Sequence, residues 1–336
     1  MKKLTSFILI TSLISSILAG CSDDQTTSAN GEEDKVLQYQ GSPGSVSFPE
    51  LAEDLGYLGD LKLEYIGDSV GGPESIQLTA TKQIDFGAAF NGAIIKSYSQ
   101  NVKIKSVVGY YGSDENTYIG AYVLDGSPIK SAKDFIGKKV GVNILGAHLE
   151  FVTKDYLRQG GLTEKEIEQV TLVTVPAANA EQTLRNEQID VVLLSGIARD
   201  RALETGGVVE LFKDIDVFGA EFTAGDTFFT EQYIKDNPNT VKQFTEGVAK
   251  AIDWAQTTPR EEVIARFEKI INERGRKETA DNLKYWKSTG ITEKGGVIRP
   301  SEYDVWIDWL VKSGELKEGQ VKAEDLYTNE YNPFAK

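Results

Sequence analysis

Small and polar residues follow several of the predicted strands, at positions where the next helix would begin. At such positions, free backbone N–H groups and the positive end of the helix dipole favour an anionic ligand. In open sheets, ligands also bind beyond the carboxyl ends of the strands. Any single glycine or serine of this kind is more simply explained as a turn residue. Together they predict a ligand site formed by Ser42, Ser45, Gly72, Asn91, Gly92, Gly146, Ala147, His148, Ser195 and Gly196.

Aromatic side chains near these positions are able to add specificity. Tyr110, Tyr111 and Tyr118 flank the loop Gly112-Ser113-Asp114 and can stack on a ligand or form hydrogen bonds with it. The alternative is that they are half-buried surface aromatics. His148 is the only histidine, which excludes a metal site with several histidine ligands. The alternative for His148 is a capping or packing role, since a histidine without a partner is a poor catalytic group.

The residue types needed for catalysis are not grouped in any recognisable pattern. The sequence contains no nucleophile elbow, no cluster of metal ligands and no phosphate-binding loop. We therefore predict no catalytic residue, no metal site and no cofactor, and a protein that is not an enzyme. The alternatives are an enzyme built on the same fold and a surface adhesion or scaffold protein.

The single cysteine, Cys21, ends an N-terminal segment that is typical of an exported protein. Lys2 and Lys3 precede the apolar run Leu4–Leu18, whose roughly 15 residues are too few for a membrane span of about 20 and fit a signal peptide. Leu18-Ala19-Gly20-Cys21 resembles the bacterial lipobox, which implies cleavage before Cys21 and attachment of lipid to its thiol. The alternative is an ordinary signal peptide with an incidental cysteine. Without a second cysteine, no disulfide can form within the chain.

The chain is strongly acidic, which limits its partners. It carries 36 Lys and Arg against 51 Asp and Glu, a formal net charge of −15. Removal of residues 1–20 takes away Lys2 and Lys3 and leaves −17. Such a charge repels phosphates, so that nucleic acid is excluded as an electrostatic partner. The segment Ser22–Lys35 has no large apolar residue and is predicted to be a flexible tether.

The remaining 300 or so residues exceed one compact core and alternate strand patterns with helical patterns. The alternation runs from Val36 to Tyr110 and again from Lys139 to Thr205, which predicts two α/β units with parallel sheets covered by helices on both faces. Ile84-Asp85 in the first series resembles Ile189-Asp190 in the second, and each pair opens a strand. From Thr230 the pattern is mostly helical, and we expect these helices to pack on the first unit.

Four segments together resemble the nitrate/sulfonate/taurine-type family of solute-binding lipoproteins of ABC importers. The resemblance covers about residues 36–260 and depends on the order and spacing of the segments rather than on any one of them. The segments are Leu51–Leu58 (LAEDLGYL), Gln77–Gly87 (QLTATKQIDFG), Phe135–Val142 (FIGKKVGV), and Gly146-Ala147-His148 followed by Pro176, Leu184 and Ile189-Asp190.

The resemblance implies a type II periplasmic-binding-protein fold, with two α/β lobes around a ligand cleft. We place the two chain crossings between the lobes near Tyr122–Gly126 and Glu221–Phe228, where turn residues are frequent. This gives a signal peptide at 1–20, a lipidated cysteine and tether at 21–35, lobe 1 at 36–124 plus 225–336, and lobe 2 at 125–224.

The resemblance also implies a receptor that delivers a small organic anion to an ABC permease and its ATPase. An aliphatic sulfonate or taurine-like solute is the first expectation. Sulfonate-type members often carry a tryptophan after the last strand of lobe 2, whereas this chain has Leu193–Ile197 there and no tryptophan before Trp254. Nitrate, bicarbonate, a thiamine-type pyrimidine and riboflavin are therefore alternatives. The protein is expected to be a monomer, held by its lipid at the extracytoplasmic face of the cell membrane.

Overall fold

The computed structural model describes residues 33–335, which belong to one compact unit. The predicted signal peptide, Cys21 and the tether up to residue 32 lie outside the described residues. Within residues 33–335, no helix is both long enough and apolar enough to cross a bilayer.

Strands and helices alternate along most of the described chain. The strands are β1 Val36–Gly41, β2 Lys62–Asp68, β3 Phe86–Phe90, β4 Ile104–Ser113, β5 Ile119–Leu124, β6 Lys139–Val142, β7 Thr171–Thr174, β8 Val191–Ser195, β9 Val208–Lys213 and β10 Phe222–Thr230. The α-helices are α1 Phe48–Asp54, α2 Gly72–Ala80, α3 Asn91–Ser99, α4 His148–Gln159, α5 Glu164–Ile167, α6 Ala180–Arg185, α7 Gly196–Thr205, α8 Asp214–Phe218, α9 Glu231–Asp236, α10 Pro238–Thr257, α11 Arg260–Glu273, α12 Ser301–Lys312 and α13 Ala323–Leu326.

The strands form two groups, which we call lobe 1 and lobe 2. Lobe 1 contains the parallel pair β1–β2 and the three-stranded sheet β3–β10–β4, in which β10 runs antiparallel to both neighbours. Lobe 2 contains the sheet β7–β6–β8–β5–β9, in which β5 runs antiparallel to β8 and β9. The sequence-based prediction of purely parallel sheets is therefore wrong. Parallel neighbours need a crossover helix, whereas β5 and β10 each enter their sheet from the other lobe.

The crossings also lie earlier along the chain than the sequence predicts. Ile119–Leu124 pairs in the sheet of lobe 2, so that the first crossing is 114–118 rather than Tyr122–Gly126. The second crossing is 214–221, because the chain from Phe222 onward already pairs with β4. The sequence placed the second crossing too late because it has turn-forming residues around Gly225. In the structure these residues lie at bulges inside the buried strand β10. Bulges accept such residues within a sheet.

The two Ile-Asp pairs have equivalent roles in the two lobes. The Asp85 carboxylate accepts a hydrogen bond from the backbone N–H of Gln38 at 2.6 Å, and the Asp85 N–H donates to the Gln38 carbonyl. In lobe 2, Asp190 forms the same two bonds with Lys139, the first at 2.8 Å. Each aspartate thus joins the start of its own strand to another strand of the same lobe, which supports two structurally similar lobes.

Helices cover both faces of the lobe 1 sheets, including the helices from the end of the chain. On one face, Val241, Phe244, Val248 and Ile252 of α10 are fully buried in a cluster that also contains Leu51 of α1. On the other face, a second cluster contains buried residues of α3 and α12, namely Ile94, Ile95, Tyr303, Trp306 and Leu310. Apolar stripes at helical spacing are buried in this way, which confirms the predicted packing of the C-terminal helices.

A buried group of acidic side chains lies between β10 and α12. Tyr303 donates a hydrogen bond to Asp226 at 2.7 Å, and the Ser106 hydroxyl lies 2.7 Å from the Tyr303 hydroxyl. Burial raises the pKa of Asp226 well above its usual range. Burial also raises the pKa of Glu302 to about 7, and Oε1 of Glu302 has no hydrogen-bond partner within residues 33–335.

This geometry gives Glu302→Gln a pH-dependent effect on stability. Because the pKa of Glu302 is higher in the folded than in the unfolded chain, the stability it contributes is fully present below about 4.5 and is lost as the pH rises through about 7. At pH 8 the Gln variant should have the higher free energy of unfolding, by on the order of 1–3 kcal/mol. At pH 4 to 5 this advantage should disappear. Urea unfolding at both pH values measures the difference, with the exposed Glu318→Gln as control. An advantage of equal size at both pH values would contradict the assignment.

Candidate functional site

Two neighbouring cavities lie at the carboxyl ends of the strands. The first, which we call the cleft pocket, separates the lobes and has a volume of about 400 Å³. It is lined by Gly72, 88–90, 110–113, 117–119, 141–143, 147–149, Val175, Ala177, Ala180, 193–196, Ala198 and Thr289. The second, which we call the serine pocket, has a volume of about 340 Å³. It is lined by 39–42, 45–49, Ser69, Ser75, 86–88, Tyr110, Tyr111, Thr227, Trp286, Ser288 and Thr289.

The residues predicted from the sequence are divided between these cavities. Those that line the cleft pocket are Gly72, Tyr110, Tyr118, Ala147, His148, Ser195 and Gly196. Ser42 and Ser45 line the serine pocket, together with Tyr110, which lines both. The sequence could not reveal the contribution of Trp286, Ser288 and Thr289, because this segment is far from the other lining residues along the chain.

Three predicted residues, Asn91, Gly92 and Gly146, line neither cavity. Asn91 is fully buried at the start of α3. A Cβ atom at Gly92 would meet the rings of Phe90 and Phe151, so that this position is required for packing. Gly146 has a positive φ of 76°, and its N–H donates to Glu150 rather than to a ligand. Gly92 and Gly146 therefore have structural roles next to the cavities, whereas Oδ1 and Nδ2 of Asn91 have no hydrogen-bond partner within the described residues.

Two helix starts supply hydrogen-bond donors to the cleft pocket. The helices α4 and α7 begin directly after Ala147 and Ser195, and neither start has a side-chain cap. The first N–H groups of an uncapped helix have no partner within the helix. By contrast, the start of α1 is closed by a capping box between Ser47 and Glu50. The starts of α2, α3 and α6 also lack a side-chain cap and place Gly72, Phe90 and Ala180 in the lining, so that the cleft pocket meets open helix starts from both lobes.

His148 lies at the junction of the two lobes. Its ring stacks on Phe90 with centroids 4.8 Å apart, and the edge of Trp306 faces it at 6.0 Å. Nδ1 is 3.5 Å from the Tyr111 hydroxyl, whereas Nε2 is 3.9 Å from the Asp214 carboxylate and has no hydrogen-bond partner within the described chain. Burial lowers the pKa of His148 to about 3. The imidazole is therefore neutral at physiological pH. His148 packs against aromatic rings and also lines the cleft pocket, so that both roles considered from the sequence apply to it.

Asp214 connects the two crossings of the chain. Its Oδ1 accepts hydrogen bonds from the N–H groups of Ile119, at 3.1 Å, and Ile215, at 2.8 Å. Its Oδ2 accepts a hydrogen bond of 2.5 Å from Ser113. Ser113 ends β4 and Ile119 begins β5, so that one carboxylate holds both ends of the first crossing against the start of the second. Burial raises the pKa of Asp214 to about 6.

Tyr118 is held at the wall of the cleft pocket by two neighbouring groups. The Arg199 guanidinium lies 3.9 Å from the centre of its ring, and the Tyr118 hydroxyl donates to Glu210 at 2.9 Å. Arg199 is only 1% exposed and also donates to the carbonyls of Asn116 and Tyr118. Arg199 therefore stabilises the first crossing through the backbone and positions an aromatic ring at the cavity through a cation–π contact.

Charged side chains do not line either cavity in the described part of the chain. Behind the serine pocket, Tyr39 donates to Glu50 at 2.7 Å and accepts from Arg276 at 2.6 Å. Arg274 forms ion pairs with Glu50 and Glu278, and Arg276 forms one with Glu50, so that two cations face two anions. A group of acidic, histidine or cysteine side chains suited to a metal ion is absent from residues 33–335. Binding in either cavity thus depends on neutral donors, acceptors and aromatic surfaces.

Two α/β lobes, joined by two crossings and separated by a cavity at their strand ends, define a periplasmic-binding-protein fold. The chain belongs to the NMT1/THI5-like family, whose model matches residues 51–262. This confirms the fold class and the family relationship predicted from the sequence. A sequence search of curated proteins gives no significant match.

Solved structures with this fold include binding proteins and an enzyme. The periplasmic aliphatic sulphonate-binding protein SsuA of Escherichia coli is 19% identical, with a TM-score of 0.64 over 87% of this chain and 92% of that one. The periplasmic nitrate-binding protein NrtA of Synechocystis PCC 6803 is 12% identical, with a TM-score of 0.68 over 89% and 87%. The desulfurization enzyme DSZB is 13% identical, with a TM-score of 0.62 over 89% and 97%. At these identities the similarity concerns the fold.

Proposed function

We propose that the protein is an extracytoplasmic receptor that binds a small solute between its lobes and delivers it to an ABC permease with its ATPase. The observation that carries the proposal is the cleft pocket, which lies between the lobes and meets uncapped helix starts from both of them, those of α4 and α7 included. Concave sites with a few polar groups directed into them are typical of small-molecule binding. Domain closure around the solute would present one shape to the permease. We propose that the receptor acts as a monomer.

For the solute, the sequence favours an aliphatic sulfonate or a taurine-like anion. The open starts of α4 and α7 support this choice, because helix N-termini bind anions without a cationic side chain. The names of the similar SsuA and NrtA proteins are consistent with an anion. Nitrate, bicarbonate, a thiamine-type pyrimidine and riboflavin are the alternatives, and the last two suit the aromatic walls of the cleft pocket.

We infer that the protein is not an enzyme, although DSZB has a similar fold. Ser113 and His148 both line the cleft pocket, but the Ser113 hydroxyl donates to Asp214 and not to His148. A nucleophilic serine needs a base within hydrogen-bond reach of its own hydroxyl. If mass spectrometry over time shows that the protein converts a bound solute into a product, the enzyme alternative is supported. A folded domain that binds no small molecule would favour the adhesion or scaffold alternative.

A thermal-shift screen of the purified chain tests the receptor function. The candidates are taurine, MOPS, nitrate, bicarbonate, a thiamine-type pyrimidine and riboflavin. A solute at about 100 times its Kd adds about 2.7 kcal/mol to the free energy of unfolding, so that the melting temperature should rise measurably. An excess of sodium chloride controls for ionic strength. If no small solute raises the melting temperature, the receptor proposal fails.

We propose further that lipid on Cys21 holds the receptor at the membrane through a tether of residues 22–32. The predicted tether up to Lys35 is too long, because Glu33 and Asp34 form hydrogen bonds with Asn237, Asn239 and Thr240 next to and within the start of α10. Because two or more acyl chains are needed for firm anchoring, the wild-type chain should sediment with membranes and its mature N-terminus should carry a diacylglycerol. In Cys21→Ala, the lipid has no acceptor thiol, and the chain should lose both the lipid and the membrane association. Ser22→Ala is the matched control. Membrane fractionation with mass spectrometry of the N-terminal peptide measures both, and a lipid-free wild-type peptide would exclude the anchor.

A further inference from the structure

We propose that residues 275–290, which we call the strap, form a polar latch that holds the two lobes together in the solute-free protein, with the ion pair between Lys287 and Asp200 as its main contact. The inference goes beyond the proposed receptor function, because it concerns how access to the cleft is controlled and not which solute binds. Its test needs no solute, so that its failure leaves the receptor function intact.

The strap leads from α11 towards α12 and is attached to lobe 1. Arg260 of α11 donates a hydrogen bond to the Trp286 carbonyl at 2.7 Å. Leu283 is 1% exposed and belongs to the apolar cluster that contains buried residues of α1 and α10. At the end of the strap, a Cβ atom on Gly290 would collide with the backbone of Gly112 in β4. The strap is therefore a packed part of lobe 1.

From lobe 1 the strap reaches α7 of lobe 2. Gly196 lines the cleft pocket at the start of α7, and Asp200 and Glu204 follow at four-residue intervals, so that all three lie on one face of the helix. Nζ of Lys287 lies 3.1 Å from Oδ2 of Asp200, and the Tyr285 hydroxyl donates to Glu204. The strap thus joins the two lobes beside the cleft pocket.

The two ion pairs of the strap differ in strength. Lys284 and Glu204 lie 3.7 Å apart with side chains 61% and 62% exposed, so that water screens this pair and it contributes little. The Asp200 side chain is only 7% exposed, and its Oδ2 accepts no hydrogen bond within residues 33–335. The Lys287 ammonium therefore compensates the charge at this oxygen. Because a buried charge without compensation is costly, Lys287 stabilises the arrangement in which the lobes are in contact.

Asp200 connects the latch to the wall of the cleft. Its Oδ1 accepts hydrogen bonds from Nε and Nη2 of Arg199, at 2.9 and 2.7 Å. The same guanidinium lies against the Tyr118 ring in the cleft wall and donates to the Asn116 carbonyl of the first crossing at 2.6 Å. One continuous set of contacts therefore runs from the strap, through Asp200 and Arg199, to the cleft wall and to the first crossing.

The chemistry of the latch suits a contact that opens repeatedly. The cleft pocket lies between two contacts of the lobes, since Phe90 and His148 line it at the apolar junction with Trp306 and Thr289 lines it at the strap. Separation at the junction would expose aromatic rings to water, which is unfavourable. Separation at the strap exposes charged and hydroxyl groups, which water hydrates well. The lobes should therefore part at the strap and stay in contact at the junction.

Hydrogen–deuterium exchange of the purified, solute-free chain tests the latch. Lys287→Met removes the charge and keeps most of the apolar stem, so that the lobes should separate more often. Amides at the cleft pocket in both lobes, at 110–113 and 196–199, should then exchange about threefold to tenfold faster than in wild type. Lys287→Arg keeps the charge and should exchange like wild type. Lys284→Met, which removes only the exposed pair with Glu204, is the matched control and should change exchange less than about twofold.

The response of the wild-type chain to salt is a second measurement that requires no substitution. A high concentration of sodium chloride screens the pair between Lys287 and Asp200, so that exchange of wild type should approach that of Lys287→Met. Small-angle X-ray scattering of the same samples, all prepared as Cys21→Ala so that no lipid is attached, should show a larger radius of gyration for Lys287→Met than for wild type.

Three outcomes would overturn the latch. The first is equal exchange at the cleft in wild type and Lys287→Met, and the second is an equal increase in Lys284→Met, which would assign the effect to the net charge of the strap. The third is faster exchange confined to the strap, because the substitution would then loosen the strap without separating the lobes. None of these outcomes changes the result of the thermal-shift screen, which tests the receptor function independently.

Discussion

Asp214→Ala should lower the free energy of unfolding by about 3 kcal/mol or more, the largest effect we expect from one polar side chain. The substitution leaves three donors without their acceptor, namely the buried N–H group of Ile119, the buried hydroxyl of Ser113 and the partly buried N–H group of Ile215. An unsatisfied buried donor costs about 1–3 kcal/mol. Because these donors belong to both crossings, the variant should also bind its solute more weakly.

Two further variants make the Asp214 prediction specific. Asp214→Asn keeps one acceptor oxygen and removes a buried charge, so that its cost should be clearly smaller than that of Asp214→Ala. Asp216→Ala changes an exposed aspartate of the same short helix and should stay within about 0.5 kcal/mol of wild type. Urea unfolding measures all three. If Asp214→Ala is as mild as Asp216→Ala, Asp214 does not hold the crossings together.

Trp306→Ala should be comparably destabilising, by about 3–5 kcal/mol, because it empties the apolar junction between the lobes. Trp306 is 1% exposed, and its ring packs edge-on against Phe90 of lobe 1 at 4.7 Å and against Phe218 of the second crossing at 4.6 Å. It also contacts His148 and Phe151 of α4. Val305→Ala, at the neighbouring exposed position, is the control and should be nearly neutral.

Trp306→Ala should also change the pKa of His148, the only histidine of the sequence. Burial holds the pKa of His148 at about 3, so that in wild type its imidazole signals should not shift between pH 5 and 8. In Trp306→Ala, water reaches the ring, and the pKa should rise towards the usual value of about 6.5. Proton NMR of the single imidazole follows this directly. A wild-type histidine that titrates near pH 6.5 would contradict the burial of this junction.

The sequence predicted most elements of the fold because its patterns are local. Helical apolar spacing located α10 and α12, and the paired Ile-Asp signals marked equivalent strand starts in the two lobes. It did not predict β5, β9 and β10 as strands. Gly225 and Asp226 form a turn-like pair in sequence, and only the pairing of β10 with β3 and β4 shows that they lie inside a sheet.

The sequence predicted only part of the candidate site, because some of its residues act through contacts with residues far away along the chain. Helix starts such as Ala147 and Ser195 can be recognised from short motifs, and the structure brings them to one cavity. Asp214 and Ser288 gave no signal, because their roles depend on atoms about 100 or more residues away along the chain, such as Ser113 for Asp214. Within the segment that departs from the sulfonate-type pattern, residues 193–196 line the cleft pocket, and what this change means for the solute stays a prediction.

Hydrogen–deuterium exchange of the chain, with and without the solute that stabilises it, tests the central claim most directly. If the solute binds between the lobes, exchange should slow at 110–113 of lobe 1 and at the starts of α4 and α7 in lobe 2, at 147–150 and 196–199. The exposed surface of α11, which contributes no residue to the lining of either cavity, should be unaffected. Protection confined to one lobe, or to a surface away from both cavities, would contradict a receptor that closes around its solute.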